Sequence, residues 1–182
     1  MGAVFTPVFY IFAFVAVASA VIVCGFEWGA VITGLFLIFM AACAASDINK
    51  GLVPDMLCVL IAVLAIVRLL IYGLSLQSLV SCLCGAAVLS VPMLLVAIFI
   101  KNGFGGGDIK MMAAAGLFLG LDKTIIAGLI AFLVAGSYGV YLLFIKKRGA
   151  GKKVKLAPYL ALGCTFSELF GAFFLEVFHG IL

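Results

Sequence analysis

Charge is scarce in this chain: Asp, Glu, Lys and Arg make up 10% of its 182 residues, against 68% hydrophobic ones. An ordinary soluble domain carries about 25% charged residues, and a mean hydropathy of +1.45 excludes a water-soluble core. Also missing is any C-x-x-C pair. Cys24, Cys43, Cys58, Cys82, Cys84 and Cys164 all lie in or at the ends of apolar runs, which argues against zinc and a disulfide framework and leaves them as small apolar side chains. No internal repeat is visible. No Lys or Arg precedes the first apolar run, so Ala18-Ser19-Ala20, although it mimics a signal-peptide cleavage site, is expected to end a retained helix.

What is present is long apolar runs. A helix needs about 20 of them in a row to satisfy its backbone across a bilayer. The runs predict an all-α, polytopic membrane helical bundle of about seven transmembrane helices, with six possible, near residues 4–24, 30–46, 56–73, 77–100, 108–120, 124–145 and 158–178. The fifth is short for a span. Only loops remain, so residues 1–182 are expected to form a single membrane domain.

Basic residues in short loops mark the cytoplasmic side. Lys50, Lys101, Lys110 and the run Lys146, Lys147, Arg148, Lys152, Lys153 and Lys155 all fall at alternate helix junctions. That pattern predicts a cytoplasmic N-terminus, an outer C-terminus and seven crossings of the cell membrane. The exceptions are Lys123, beside Asp122 in an expected outer loop, and Arg68, near the outer end of the third helix, from where it can snorkel. The basic run reads first as a topology signal, and alternatively as a contact for membrane lipids or a partner.

Seven acids occur, and those at membrane depth are rarely accidental. Glu27 and Asp122 read as solvated loop residues. Asp47 follows Ala41 to Ser46, and Asp108 follows Gly105-Gly106-Gly107; the lysine-derived topology puts both at the cytoplasmic boundary. Two adjacent carboxylates do not both ionise readily, so one keeps a proton while the other acts as base. The base deprotonates a water that attacks a peptide carbonyl, and the acid supports the oxyanion and delivers a proton. Asp108 would open a helix and Asp47 would close one, so the local dipoles predict the shared proton on Asp47. Gly105, Gly106 and Gly107 permit close backbone approach and positive φ, as an extended substrate would require.

Gly105-Gly106-Gly107-Asp108-Ile109-Lys110 resembles the G-x-G-D-x-K signature of type IV prepilin peptidases, continued by Met111 to Gly116. The stretch Ser46 to Asp55, with Pro54, is similar to that family's first-aspartate segment, and Ala157 to Gly163 to its third landmark. Presenilin-like intramembrane proteases share G-x-G-D but have a larger architecture. The resemblance implies a membrane aspartic endopeptidase that cuts type IV prepilins or pseudopilins at the cytoplasmic face, after a basic leader, in company with pilus or secretion machinery. It makes Asp47 and Asp108 the catalytic pair and Gly105, Gly107 and Lys110 motif residues around it. Larger family members carry a cysteine-containing N-terminal segment linked to methylation; without it here, peptidase activity without N-methyltransferase activity is expected. No metal, cofactor or nucleic-acid partner is expected.

Asp55 after Pro54 reads as a helix cap, or as an attractor for the basic leader. Glu168, deep in the last helix, is expected to pair with Arg68 or a helix-facing serine, and His179 to be interfacial. Pro92 interrupts the fourth expected helix, where a kink would open a groove. The rival readings are a proton- or ion-coupled small transporter using the same acids, and a non-catalytic scaffold.

Overall fold

The computed structural model describes residues 28–99, 104–144 and 155–179. They form six helices: α1 Trp28–Lys50, α2 Asp55–Tyr72, α3 Leu76–Phe99, α4 Gly106–Leu119, α5 Leu121–Phe144 and α6 Ala157–His179. The helix expected at 4–24 lies outside the described residues, as do Cys24, Glu27, Lys101 and the basic run up to Lys153.

Four of these helices are long and apolar enough to cross a membrane: Gly29–Lys50, Asp55–Tyr72, Leu76–Phe99 and Leu121–Tyr141. Their apolar side chains point outward as well as inward. Met56, Val59, Val63 and Ile66 on α2 and Leu76, Leu83 and Phe99 on α3 are all exposed, which is tolerable in lipid and not in water. The protein is a helical membrane bundle.

The bundle is organised around its shortest helix. At about 1.5 Å per residue, α4 is only about 21 Å long, short of the roughly 30 Å hydrocarbon core. Helices α2, α3, α5 and α6 pack on it, and α1 reaches it through Phe36, whose ring stacks on Phe118 at 4.1 Å. Met111, Met112, Ala115 and Phe118 of α4 are buried, with Met40, Cys43, Ile61, Leu160 and Cys164 around them. Cys43, Cys58 and Cys164 thus pack as apolar side chains.

Glycine brings α3 and α4 into backbone contact. A Cβ on Gly85 would sit 2.6 Å from the Gly116 carbonyl oxygen, and one on Gly116 would collide with Gly85. Small residues at such crossings replace the hydrophobic effect, which lipid does not supply, with close packing. Gly116→Val should therefore lower stability by about 3 kcal/mol, the upper end of overpacking costs. The melting temperature of the purified protein in detergent checks this.

The turn from α4 to α5 differs from expectation. Gly120 alone makes it, at φ 77°, with its N–H donating to Gly116 O at 3.0 Å and its carbonyl accepting from Thr124 N–H at 3.1 Å. Helix α5 therefore starts at Leu121 and takes in Asp122 and Lys123, both expected in a loop. Lys123 points inward: its Nζ lies 2.8 Å from Glu168 Oε2. Arg68 Nη1 lies 2.8 Å from Glu168 Oε1 and also donates to Phe118 O at 3.4 Å, with its guanidinium 4.5 Å above the Phe118 ring. The Glu168–Arg68 pairing is the expected one. The equally expected serine pairing is absent among the described residues, and Ser167 Oγ donates to the Lys123 carbonyl instead. A cation suits the C-terminus of α4, whose last carbonyls would otherwise be unpaired at membrane depth. The two exceptions to the lysine topology are thus the two cationic partners of one buried acid.

Candidate active site

Small residues from Ala41 to Ser46 let the end of α1 pack closely, and the helix continues through Asp47 to Lys50. Asp47 therefore sits in the last turn, not after it. Gly51 ends the helix with φ 68°, a left-handed conformation that favours glycine, and donates its N–H to Asp47 O at 2.8 Å. Ser46 Oγ donates to Leu52 O at 2.9 Å, folding residues 51–54 back over the helix end. Pro54, extended at φ −66° and ψ 129°, leads into α2.

Asp108 occupies the first turn of α4. Gly105 precedes the helix at φ −72° and ψ 137°; its carbonyl accepts from Asp108 N–H at 3.1 Å, while its own N–H serves the Asp108 carboxyl. A Cβ on Gly105 would lie 3.1 Å from Asp108 Oδ2, and one on Gly107 would lie 3.0 Å from Val53 Cβ; around Gly106 there is open space. Close approach is thus the role of Gly105 and Gly107. Positive φ is not: among the described residues it occurs at Gly51, Gly73 and Gly120.

The two segments meet at one end of the bundle in a cavity of about 520 Å³, lined by residues 51–53 and by Asp47, Asp55, Gly105 and Asp108 among others, a size usual for ligand clefts. Asp47 is 7% exposed, and its Oδ2 has no hydrogen-bond partner among the described residues. Asp108 lies outside the four crossing helices, and its carboxyl is pushed up to about 6 by burial and by the charge of Asp47.

Two groups not anticipated from the sequence complete the site. Helix α6 starts at Ala157, whose backbone N–H serves the Asp47 carboxylate, and Lys155 places its charge beside the same group. Lys155 Nζ also donates to Ile48 O at the α1 terminus. The signal for both was the Ala157-Pro158 landmark, because proline is favoured in the first turn of a helix and so marks an N-terminus. The dipole argument for Asp47 considered only its own helix; the N-terminus of α6 opposes it.

Asp55 does not cap α2, which shows no side-chain capping hydrogen bond. Its Oδ1 and Oδ2 both accept from Lys110 Nζ at 2.9 Å, in an exposed pair on the cavity's edge. Glu168 lies in the other half of the bundle, and Pro92 lies within α3. Among the described residues, no three His, Cys, Asp or Glu side chains cluster as metal ligands do.

A family model described as the type IV leader peptidase family matches residues 34–140, more than half of the chain and the part holding both aspartates. The prepilin leader peptidase/N-methyltransferase of Bacillus subtilis (strain 168) is 28% identical over 138 residues, 75% of this chain and 54% of that protein. The protein of the same name from Xanthomonas campestris pv. campestris is 31% identical over 144 residues, 76% of this chain and 49% of that one. One from Aeromonas salmonicida is 34% identical over 71 residues, 39% of this chain and 24% of that one. The chain spans about half the length of the curated relatives it matches over most of its own. No solved structure matches. The G-x-G-D-x-K resemblance, the membrane bundle and the match over residues 34–140 agree: this chain belongs to the type IV leader peptidase family.

Proposed function

We propose that this protein is an aspartic endopeptidase that removes the leader from type IV prepilin-like precursors at the cytoplasmic membrane face. The observation carrying this reading is that Asp47 and Asp108, from different helices, line one cavity, where the charge of Asp47 helps to raise the Asp108 carboxyl. Lys50, Lys110 and Lys155 lie at the same end of the bundle, which supports a cytoplasmic location by the positive-inside rule. A substrate helix in the membrane would present its leader junction at that depth.

In this reading Asp47 is the charged base and Asp108 holds the proton, the reverse of the assignment from local dipoles. Burial opposes charge on both carboxyls; at Asp47 Lys155 and the Ala157 N–H offset it, whereas at Asp108 the charge of Asp47 adds to it. Asp47 takes a proton from water as its oxygen attacks the scissile carbonyl, Asp108 gives its proton to the developing oxyanion, Asp47 passes the water proton to the leaving amine as the C–N bond breaks, and a gem-diol proton returns to Asp108. Gly105 and Gly107 leave room for extended substrate backbone beside the pair.

Activity needs one proton on the pair, so kcat/KM should fall as pH rises from about 6. Removing a nearby cation raises the proton affinity of carboxylates. Lys155→Met should therefore move that alkaline limb to higher pH, and a pH–rate profile of the variant checks the sign.

Asp55 acts in this scheme as an exchange site, where a leader Lys or Arg displaces Lys110. Asp55→Asn should raise KM by up to about fivefold, the range of exposed ion pairs, with kcat little changed. The effect should shrink for leaders stripped of basic residues.

The test of function is incubation of the purified protein with a prepilin bearing a basic leader, followed by intact-mass measurement. Two products cut between leader and hydrophobic helix support a peptidase. An intact precursor, with acid-dependent ion flux in proteoliposomes, would favour the transporter.

A further inference from the structure

At the end of the bundle opposite the aspartates, a second cavity of about 400 Å³ lies between the α2–α3 turn and the C-terminus of α4, lined in part by Arg68, Tyr72, Ser75, Gln77, Ser78 and Ser81. Its depth follows from the helices that form it. Residues 73–75 join two membrane-crossing helices, so this turn lies at a membrane surface. Tyr72, 68% exposed, sits where aromatic side chains concentrate, at the level of the lipid headgroups. Arg68 lies one helical turn deeper.

The charges around the cavity do not cancel. Arg68 and Lys123 share the single carboxylate of Glu168, leaving one positive charge in the group. Asp122 is exposed, forms no ion pair among the described residues and does not line the cavity. Both protein hydrogen bonds of Arg68 come from Nη1. Nη2 and Nε have no protein acceptor among the described residues, and a guanidinium with free donors matches a phosphate. The cavity wall adds donors. Helix α3 begins here, with Ser78 N–H capped by Ser75 Oγ at 3.0 Å, so its first turn has further unpaired N–H groups and a dipole favouring an anion. Adjacent in sequence to the lining residues, Leu70, Ile71, Leu74 and Leu76 are exposed, a suitable surface for acyl chains and a poor one for a soluble anion.

We propose that this cavity binds the headgroup of an anionic phospholipid, with Arg68 on its phosphate and the start of α3 supplying further donors. The lipid would complete the charge balance of the Glu168 group and tie the α2–α3 turn to the end of α4.

The test is native mass spectrometry of the purified protein with phosphatidylglycerol and phosphatidylcholine of the same chain length in competition, with inorganic phosphate in lipid-free detergent as a separate arm. Wild type should retain phosphatidylglycerol preferentially. Arg68→Lys keeps the charge opposite Glu168 but loses the fork, and should weaken that preference on the order of tenfold, as expected for one charge-assisted bidentate contact. Ser78→Asp keeps a residue favourable to the first turn of a helix but puts a negative charge in the cavity, and should abolish the preference with an unchanged melting temperature in phosphatidylcholine nanodiscs. Equal retention of both lipids by wild type, or an undiminished preference in both variants, would overturn the proposal. So would a rise in melting temperature with inorganic phosphate as large as with phosphatidylglycerol, which would make the ligand a soluble anion.

Discussion

Asp47→Asn and Asp108→Asn should each lower kcat/KM for a prepilin by at least about a thousandfold, because in the proposed mechanism each removes one half of a proton-transfer pair. The double variant should be little worse than either single one. Groups that act as a unit are strongly non-additive, since neither carboxylate can activate water and protect the oxyanion alone. Two independent acids would multiply their losses, so the double variant distinguishes a shared site from two separate roles.

Loss of activity in Asp108→Asn should come with a gain in stability. The Asp108 carboxyl is pushed up to about 6 from an ordinary 3.8. A group with a raised folded pKa contributes stability that is present below its unfolded value and lost as pH rises through its folded value. At pH 7.5 the wild type carries that penalty and the neutral asparagine does not. Asp108→Asn should therefore melt higher than wild type at pH 7.5, with the difference disappearing near pH 4. The protein holds an ionisable group where folding alone would not place one, as active sites commonly do.

The largest effect on stability is expected at Glu168. Its side chain is 4% exposed and faces Arg68 and Lys123 at 2.8 Å each, with Thr33 Oγ1 at 3.4 Å. Four helices converge on this one carboxylate. Glu168→Leu leaves two cations uncompensated in the bundle, and breaking a buried pair from one side costs about 3–5 kcal/mol. Adding Arg68→Met and Lys123→Met should recover most of that loss, because removing all the charges also removes the desolvation penalty. The recovery should be incomplete, since Phe118 O then loses the Arg68 donor. Melting temperatures of the single and triple variants test both parts.

Much of this was legible in the sequence. The runs of apolar residues placed the described helices to within a few positions, because a bilayer leaves the backbone no alternative to helix. Asp47 and Asp108, which line one cavity, were legible as neighbours, since the lysines assigned both the same depth without reference to the fold. Glu168 and Arg68 were legible as partners for a related reason: each is expensive alone at membrane depth.

Other features depend on contacts that local sequence does not encode. Lys123 next to Asp122 reads as a solvated loop, and only the single-residue turn at Gly120 shows that both belong to α5. Asp55 has the sequence position of a cap but answers to Lys110, which lies beyond the whole of α3. The dipole argument for Asp47 took α1 alone and did not include Ala157 at the start of α6, which acts on the same carboxylate in the opposite sense. The glycines before Asp108 were read as room for an extended substrate; the close approaches present are within the chain, of Gly105 to Asp108 and Gly107 to Val53, and positive φ falls instead at Gly51, where α1 ends.

The central claim is that Asp47 and Asp108 form one hydrolytic site, and the most direct measurement is the intact mass of a prepilin after incubation with equal amounts of folded wild-type, Asp47→Asn and Asp108→Asn protein. Leader removal at a single bond by wild type, with the precursor left whole by both variants, is the predicted result; complete cleavage by either variant would contradict it.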